Sequence, residues 1–400
     1  MAGGDGENGG RGAPRAERRL GLNACGAEFC PAAAGGAARD LLAVGLYELD
    51  EAAGRRVGAV ELFSLPGLLA GADPAGAAGG LRGIPGVFDL RWRPMAAGTG
   101  PPALALALAD GSARVCEAVP SGGDGGGGLW ELEERHRVDV EAGGMCLAAG
   151  WCPAGRSVAV GTHGGSLAVV RGAEGGGFEA EAEARDAHPA EVWTAAFDLH
   201  REDVVYTGAD DSAFKGWDLR APDVAFQRTK AHGAGVTAVA PSPHQEGLVA
   251  TGSYDERLRF WDLRSLAAPV LTRELPTGGG VWRVKWHPTR PGALLIANMH
   301  AGFCTVRAEP PEQAEVVEVY SAHESLGYGA DWWYGGAPEG GGGATSWLRA
   351  LFTTTCCTCG SPRPCEKTNT CITLKHNDSL TTHCKDRDDF ALRANGGDQA

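Results

Sequence analysis

The sequence has no surplus of positive charge: 36 lysines and arginines face 50 aspartates and glutamates, for a net charge of -14 with histidine neutral. Phosphate-backbone recognition draws on clustered Lys and Arg, so no nucleic-acid partner is expected. No apolar run reaches the length of a membrane-crossing helix, and the opening MAGGDGENGG has neither a charged n-region nor an apolar h-region. No membrane partner is therefore expected, and the expected compartment is cytoplasmic or nuclear. Paired cysteine spacing is missing from the first 304 residues, where Cys25, Cys30, Cys116, Cys146, Cys152 and Cys304 are scattered; they read as small buried hydrophobes in a reducing compartment. A nucleophile elbow, a P-loop, a dinucleotide glycine fingerprint and a paired-His zinc motif are also missing. No cofactor is implied.

What is present is repetition. Residues 187–220 align without a gap on 231–264, so that His188 maps to His232, Gly208 to Gly252, Asp211 to Asp255 and Trp217 to Trp261, each 44 positions on. That is the length of one propeller blade. Each unit holds short β-prone runs separated by Gly, Asp and Pro turns, which is how four antiparallel strands are written. A single blade cannot bury both faces, so neighbours are required. Weaker copies supply them at 83–118 (Trp92-Arg93-Pro94, turn Ala109-Asp110-Gly111), 143–171 (Trp151-Cys152-Pro153, turn His163-Gly164-Gly165) and 279–307 (Trp286-His287-Pro288, turn His300-Ala301-Gly302). Partial blades lie at 39–65 and 322–335. The fold class is all-β: a WD-repeat β-propeller of seven blades, the last one incomplete, over residues 30–340. The first 29 residues are expected to be disordered, and 341–400 to be a Gly-rich linker and a Cys/Thr-rich tail, disordered or an alternative terminus.

His, Thr, Asp and Trp in the two strong repeats invite a catalytic reading. A fixed repeat spacing is instead what a blade needs, and these residue types form buried hydrogen-bond chains: His188, Thr207, Asp211 and Trp217 in one blade, His232, Thr251, Asp255 and Trp261 in the next.

The run from 186 to 331 carries HPAEVWTAAF, YTGADDSAFKGWDLR, ATGSYDERLRFWDLRS, GGVWRVKWHP, NMHAGF and SAHESLGYGADW. In these stretches, above all in VWRVKWHP and YGADW, the chain resembles the diphthine methyl ester hydrolases of diphthamide biosynthesis, a WD-repeat family. The resemblance covers about 150 residues well, the preceding 140 loosely and the tail not at all. It implies hydrolysis of the methyl ester of methylated diphthine, a modified histidine on translation elongation factor 2, which is then the protein partner. Such acyl transfer to water needs a nucleophile or an activated water, and stabilisation of an oxyanion.

The resemblance brings no catalytic set, so the site is argued from position. Just before the turn Asp, successive blades place Ala109, His163, Asp210, Tyr254 and His300; at the start of the first strand they place Phe88, Leu147, Trp193, Thr237, Trp282 and Tyr328, with Glu191 two residues before Trp193. Both positions face one rim of the central channel. His163 or His300 is the candidate general base, with Glu191 or Asp210 to orient it; Trp193, Trp282, Tyr254 and Tyr328 are the candidate substrate-binding residues. His323 and Ser325 are weaker candidates.

Two features point elsewhere. Both strong blades end in Trp-Asp-Leu-Arg (217–220 and 261–264), boxes that resemble those of substrate receptors for cullin-based ubiquitin ligases. In that alternative the propeller is a non-catalytic adaptor and Arg220 and Arg264 contact the ligase. In the tail, Cys356, Cys359, Cys365, Cys371, His383 and Cys384 offer a zinc reading. Only Cys356 and Cys359 sit at ligand spacing, so no metal is expected.

Overall fold

The computed structural model describes residues 16–31, 36–69, 77–94, 100–121, 129–172, 178–221, 223–321, 326–333, 347–354 and 370–377. They form seven four-stranded antiparallel sheets. Blades one to six run through residues 23–85, 87–139, 146–186, 192–228, 236–276 and 283–320, each a simple meander. The inner strands are Asn23–Phe29, Val87–Trp92, Cys146–Trp151, Val192–Phe197, Val236–Pro241, Arg283–Trp286 and, in the seventh blade, Leu326–Trp332. Each packs against the next, and Leu326–Trp332 returns to Asn23–Phe29, which closes the ring. No helix among the described residues is long and apolar enough to cross a membrane.

The seventh blade departs from the expectation of an incomplete one. Its second and third strands, Trp347–Thr354 and Thr370–Asn377, come from the tail that was set outside the propeller, and its fourth is Ala16–Leu20 near the N-terminus. Strand Asn23–Phe29 likewise falls within the first 29 residues, where disorder was expected. A ring short of these strands would expose sheet edges to solvent and to other chains. Stitching the N-terminal strand onto the C-terminal ones removes that edge, and a blade assembled from both ends of a chain has no local period to betray it.

Side-chain patterns follow from position within a blade. Second strands are sandwiched between neighbouring blades, so Ala103–Leu108, Val204–Ala209 and Leu248–Ser253 are buried at every residue and read as continuous rather than alternating runs. The outermost strand Glu315–Tyr320 alternates exposed and half-buried. The glycine that recurs in the second strand marks a close approach. A Cβ at Gly161, Gly208 or Gly252 would meet the Cγ1 of Val192, Val236 or Val281 of the following blade at 2.7, 2.5 and 2.2 Å. Tryptophans at the end of the inner strand stitch blades two, three, six and seven to the one before. The indole nitrogens of Trp92, Trp151, Trp286 and Trp332 donate to the carbonyls of Glu28, Arg91, Ala240 and Lys285 at 2.8–3.1 Å.

Candidate active site at the channel mouth

The mouth is built by a repeated irregularity. In six inner strands the register to the second strand slips by one residue, between Ala24 and Gly26, Val87 and Asp89, Cys146 and Ala148, Val192 and Thr194, Val236 and Ala238, and Gly327 and Gly329. The residues left unpaired are Cys25, Phe88, Leu147, Trp193, Thr237 and Tyr328. A bulge re-aims its side chain out of the sheet plane, and here it does so at the same level of nearly every blade. In blade six Trp282 stands at the equivalent point, its backbone N–H donating to the Ala297 carbonyl. Beside these residues lie Ala109, His163, Asp210 and Tyr254, whose backbone N–H groups bond the carbonyls of Gly86, Met145, Glu191 and Gly235 at 2.9–3.0 Å.

Blades three to seven contribute one connected arc. Trp193 Nε1 donates to Asp210 Oδ1 at 3.1 Å. Trp282 is the hub of the aromatic group, with ring centroids 5.9 Å from Trp193, 6.0 Å from Tyr254 and 5.1 Å from Tyr328, at interplanar angles of 58°, 43° and 72°. His163 Nδ1 lies 3.5 Å from Glu191 Oε1, and the imidazole side chain is 48% exposed. The structure thus brings together His163, Glu191, Trp193, Asp210, Tyr254, Trp282 and Tyr328. It does not bring His300 to the corresponding place. Pairing of Arg283 with Ala297 puts Met299 where Asp210 and Tyr254 stand in their blades, and since the turn has the same five residues as theirs, His300 falls at the position of Asp211 and Asp255. Met299 takes a positive φ of 43° and bridges to Gly327 of blade seven, while His300, 60% exposed, lies 3.6 Å from Glu256. His323, Ser325, Cys356, Cys359, Cys365, His383 and Cys384 lie outside the described residues, as does the side chain of Cys371. No group of three or more His, Cys, Asp or Glu among the described residues is arranged to hold a metal.

Cys25, also at a bulge, is not a nucleophile: burial pushes its thiol up to about 12, and its Sγ–H donates to the Phe88 carbonyl.

Among the inner-strand side chains lies a buried belt of charge that the motif reading missed. Arg283 reaches from blade six to Asp89 in blade two at 2.8 Å. Arg91 lies 3.4 Å from Glu28 and 3.5 Å from Asp89, and Lys285 joins Glu28 and, at 3.6 Å, Asp331. Three acids and three bases cancel, and the network ties blades one, two, six and seven across the ring. Burial pushes the Asp331 carboxyl up to about 6 against the pull of Lys285 and of the backbone N–H groups of Phe29 and Trp332. A signal existed: Asp89-Leu-Arg91 and Arg283-Val-Lys285 place charges at strand period on one face, where inner strands otherwise read apolar.

The two repeat chains differ in detail. In blade four the polar chain is continuous: Trp217 Nε1 donates to Thr207 Oγ1 at 2.9 Å, Thr207 Oγ1 lies 2.8 Å from His188 Nε2, and His188 Nδ1 lies 3.0 Å from Asp211. In blade five Trp261 and His232 meet Thr251 at 2.8 and 2.9 Å, but Asp255 turns to Arg259 (2.8 Å) and to the N–H of Gly233 (2.7 Å). His232 Nδ1 is left without a partner among the described residues, and burial with the Arg259 charge pushes this imidazole down to about 4. Arg220 and Arg264 are exposed, each folded back on the Asp of its own box at 2.8 and 2.6 Å.

Comparison with known proteins bears on both fold and site. Residues 225–262 match the WD domain, G-beta repeat family. A chain in the crystal structure of the mitotic checkpoint complex superposes with a TM-score of 0.58 over 82% of this chain and 89% of that one, at 16% identity, a likeness of fold alone. Diphthine methyltransferases of Homo sapiens and Mus musculus are each 31% identical over 150 residues, 36% of this chain and 33% and 31% of theirs. The diphthine methyltransferase homolog of Dictyostelium discoideum is 32% identical over 218 residues, 50% of this chain and 59% of its own. The matched stretch therefore spans about a third of the two mammalian relatives and under two thirds of the third. The chain is a seven-bladed WD-repeat β-propeller with curated relatives named for methyl chemistry on diphthine.

Proposed function

We propose that the chain hydrolyses the methyl ester of methylated diphthine on translation elongation factor 2, leaving the free carboxylate of diphthine. The relatives' names supply diphthine and a methyl group. The observation that carries hydrolysis is the His163–Glu191 pair at the edge of an aromatic mouth. Glu191, its Oε1 3.5 Å from Nδ1, draws the ring proton to that side and leaves Nε2 as the base for water. Water adds to the ester carbonyl as its proton passes to Nε2; the tetrahedral species collapses, and the imidazolium returns the proton to the departing methoxide as methanol. Asp210 acts through Trp193, fixing the indole that walls the pocket. The substrate makes the cytoplasm the compartment of action.

The test is incubation of the purified chain with elongation factor 2 carrying methylated diphthine, followed by mass spectrometry of the modified peptide. Loss of the methyl mass with release of methanol is the expected result. A peptide unchanged by a folded sample overturns the proposal, as does gain of a methyl on unesterified diphthine that requires an added methyl donor.

A further inference from the structure

We propose that the aromatic arc of the mouth is a binding site for a quaternary ammonium group, with Trp282 as its central wall. Four rings from four successive blades meet here, and all four are partly exposed rather than sealed in a core. Inclined to Trp282 by 43° to 72°, the three neighbouring rings are not stacked flat on it. The face of an aromatic ring carries negative potential, and inclined faces surrounding one point attract a cation too large and too weakly hydrated for a carboxylate to hold alone. Charge points the same way. Asp210 stands beside the rings, held by Trp193, with Glu191 two residues before that indole, and the Arg56 guanidinium over Phe88, at 5.8 Å, belongs to blades one and two, away from the arc.

The wall behind the rings is closely packed: a Cβ on Gly235 would meet Asp210 Oδ1 at 2.7 Å, and one on Gly280 would meet Met299 Sδ at 2.9 Å, so these glycines let Asp210 and Met299 come against the backbone beside Tyr254. The occupant that fits is a trimethylated amine borne on a protein side chain: its methyl groups need apolar faces, and its diffuse charge needs π density and nearby carboxylates. This inference deepens the preceding functional reading and rests on it for the identity of the ligand, since diphthine carries a trimethylammonium beside its carboxyl. The ammonium bound at Trp282 would then leave the adjacent ester toward His163 and Glu191.

The experiment titrates the full chain with tetramethylammonium and, in parallel, with a neutral isostere bearing a tert-butyl group, followed by quenching of tryptophan fluorescence. Tetramethylammonium is expected to bind roughly ten-fold tighter than the isostere. Trp282→Leu should abolish the difference, Trp282→Phe should weaken binding several-fold, and Asp210→Asn should weaken it less; a urea midpoint for each variant certifies folding. Equal binding of cation and isostere, or a folded Trp282→Leu that binds as the parent does, overturns the proposal. His163→Ala separates the two readings. It should lose ester hydrolysis and keep tetramethylammonium binding; cation binding without hydrolysis in the parent would sink the esterase and leave the ammonium site standing.

Discussion

Thr207→Val removes one oxygen from the centre of blade four and leaves the shape of the side chain almost unchanged. Thr207 is fully buried, and its hydroxyl joins Trp217 Nε1 and His188 Nε2, which are buried as well. Because His188 Nδ1 is spent on Asp211, its proton lies on that side, and Nε2 must accept from the Thr207 hydroxyl. Valine therefore strands a donor and an acceptor at once. A buried polar group left unsatisfied costs about 1–3 kcal/mol, which gives roughly 2–5 kcal/mol for the pair once the small gain from the added methyl is set against it. Thr251→Val should cost less: His232 already lacks a partner at Nδ1 and its blade has no link from imidazole to carboxylate. The assay is equilibrium urea unfolding followed by tryptophan fluorescence, with the 52%-exposed Val319→Thr as the control in the reverse chemical direction. A lower midpoint at unchanged slope is expected for Thr207→Val. A shift no larger than that of the control, or one smaller than that of Thr251→Val, refutes the account of blade four as a directed proton chain.

Three further outcomes are expected. His163→Ala or Glu191→Gln should lower ester turnover at least ten-fold, within the range general base catalysis supplies, whereas His300→Ala, outside the arc, should leave it within about two-fold; turnover assays on the three variants decide this. Stability should fall on acidification, because burial pushes the His232 and His287 imidazoles down to about 4. The unfolded state binds their protons from about pH 6.5 downward and the folded state only near pH 4, so each histidine removes about 3 kcal/mol across that window. Asp331, pushed up, acts in the opposite sense; the difference in pH dependence of the urea midpoint between parent and His232→Gln isolates the histidine and should vanish above pH 7. Gly208→Ala should cost several kcal/mol, since its Cβ falls 2.5 Å from Val236 Cγ1 and 2.9 Å from Thr194 Cγ2 between two packed blades; pairing it with Val236→Ala should recover part of the loss.

The amino-acid sequence by itself determined the blade. A buried Thr between His and Trp, a Gly where the next blade presses in and a Trp that reaches back to the previous blade recur because every blade meets the same neighbours. The aromatic and acidic residues of the mouth were legible for the same reason, since a repeat makes Trp193, Tyr254 and Trp282 comparable by position. Their contact across blades, the strand register that sets Met299 rather than His300 at the mouth position of blade six, and the six bulges that aim the mouth residues were decided only in three dimensions. Register between strands depends on bonds to a partner that no local pattern records. The charge belt and the seventh blade follow the same logic. Arg283 finds Asp89 194 residues away, and Ala16–Leu20 finds Thr370–Asn377 from the opposite end of the chain. Ring closure sets both, because it alone brings the first blade and the last side by side.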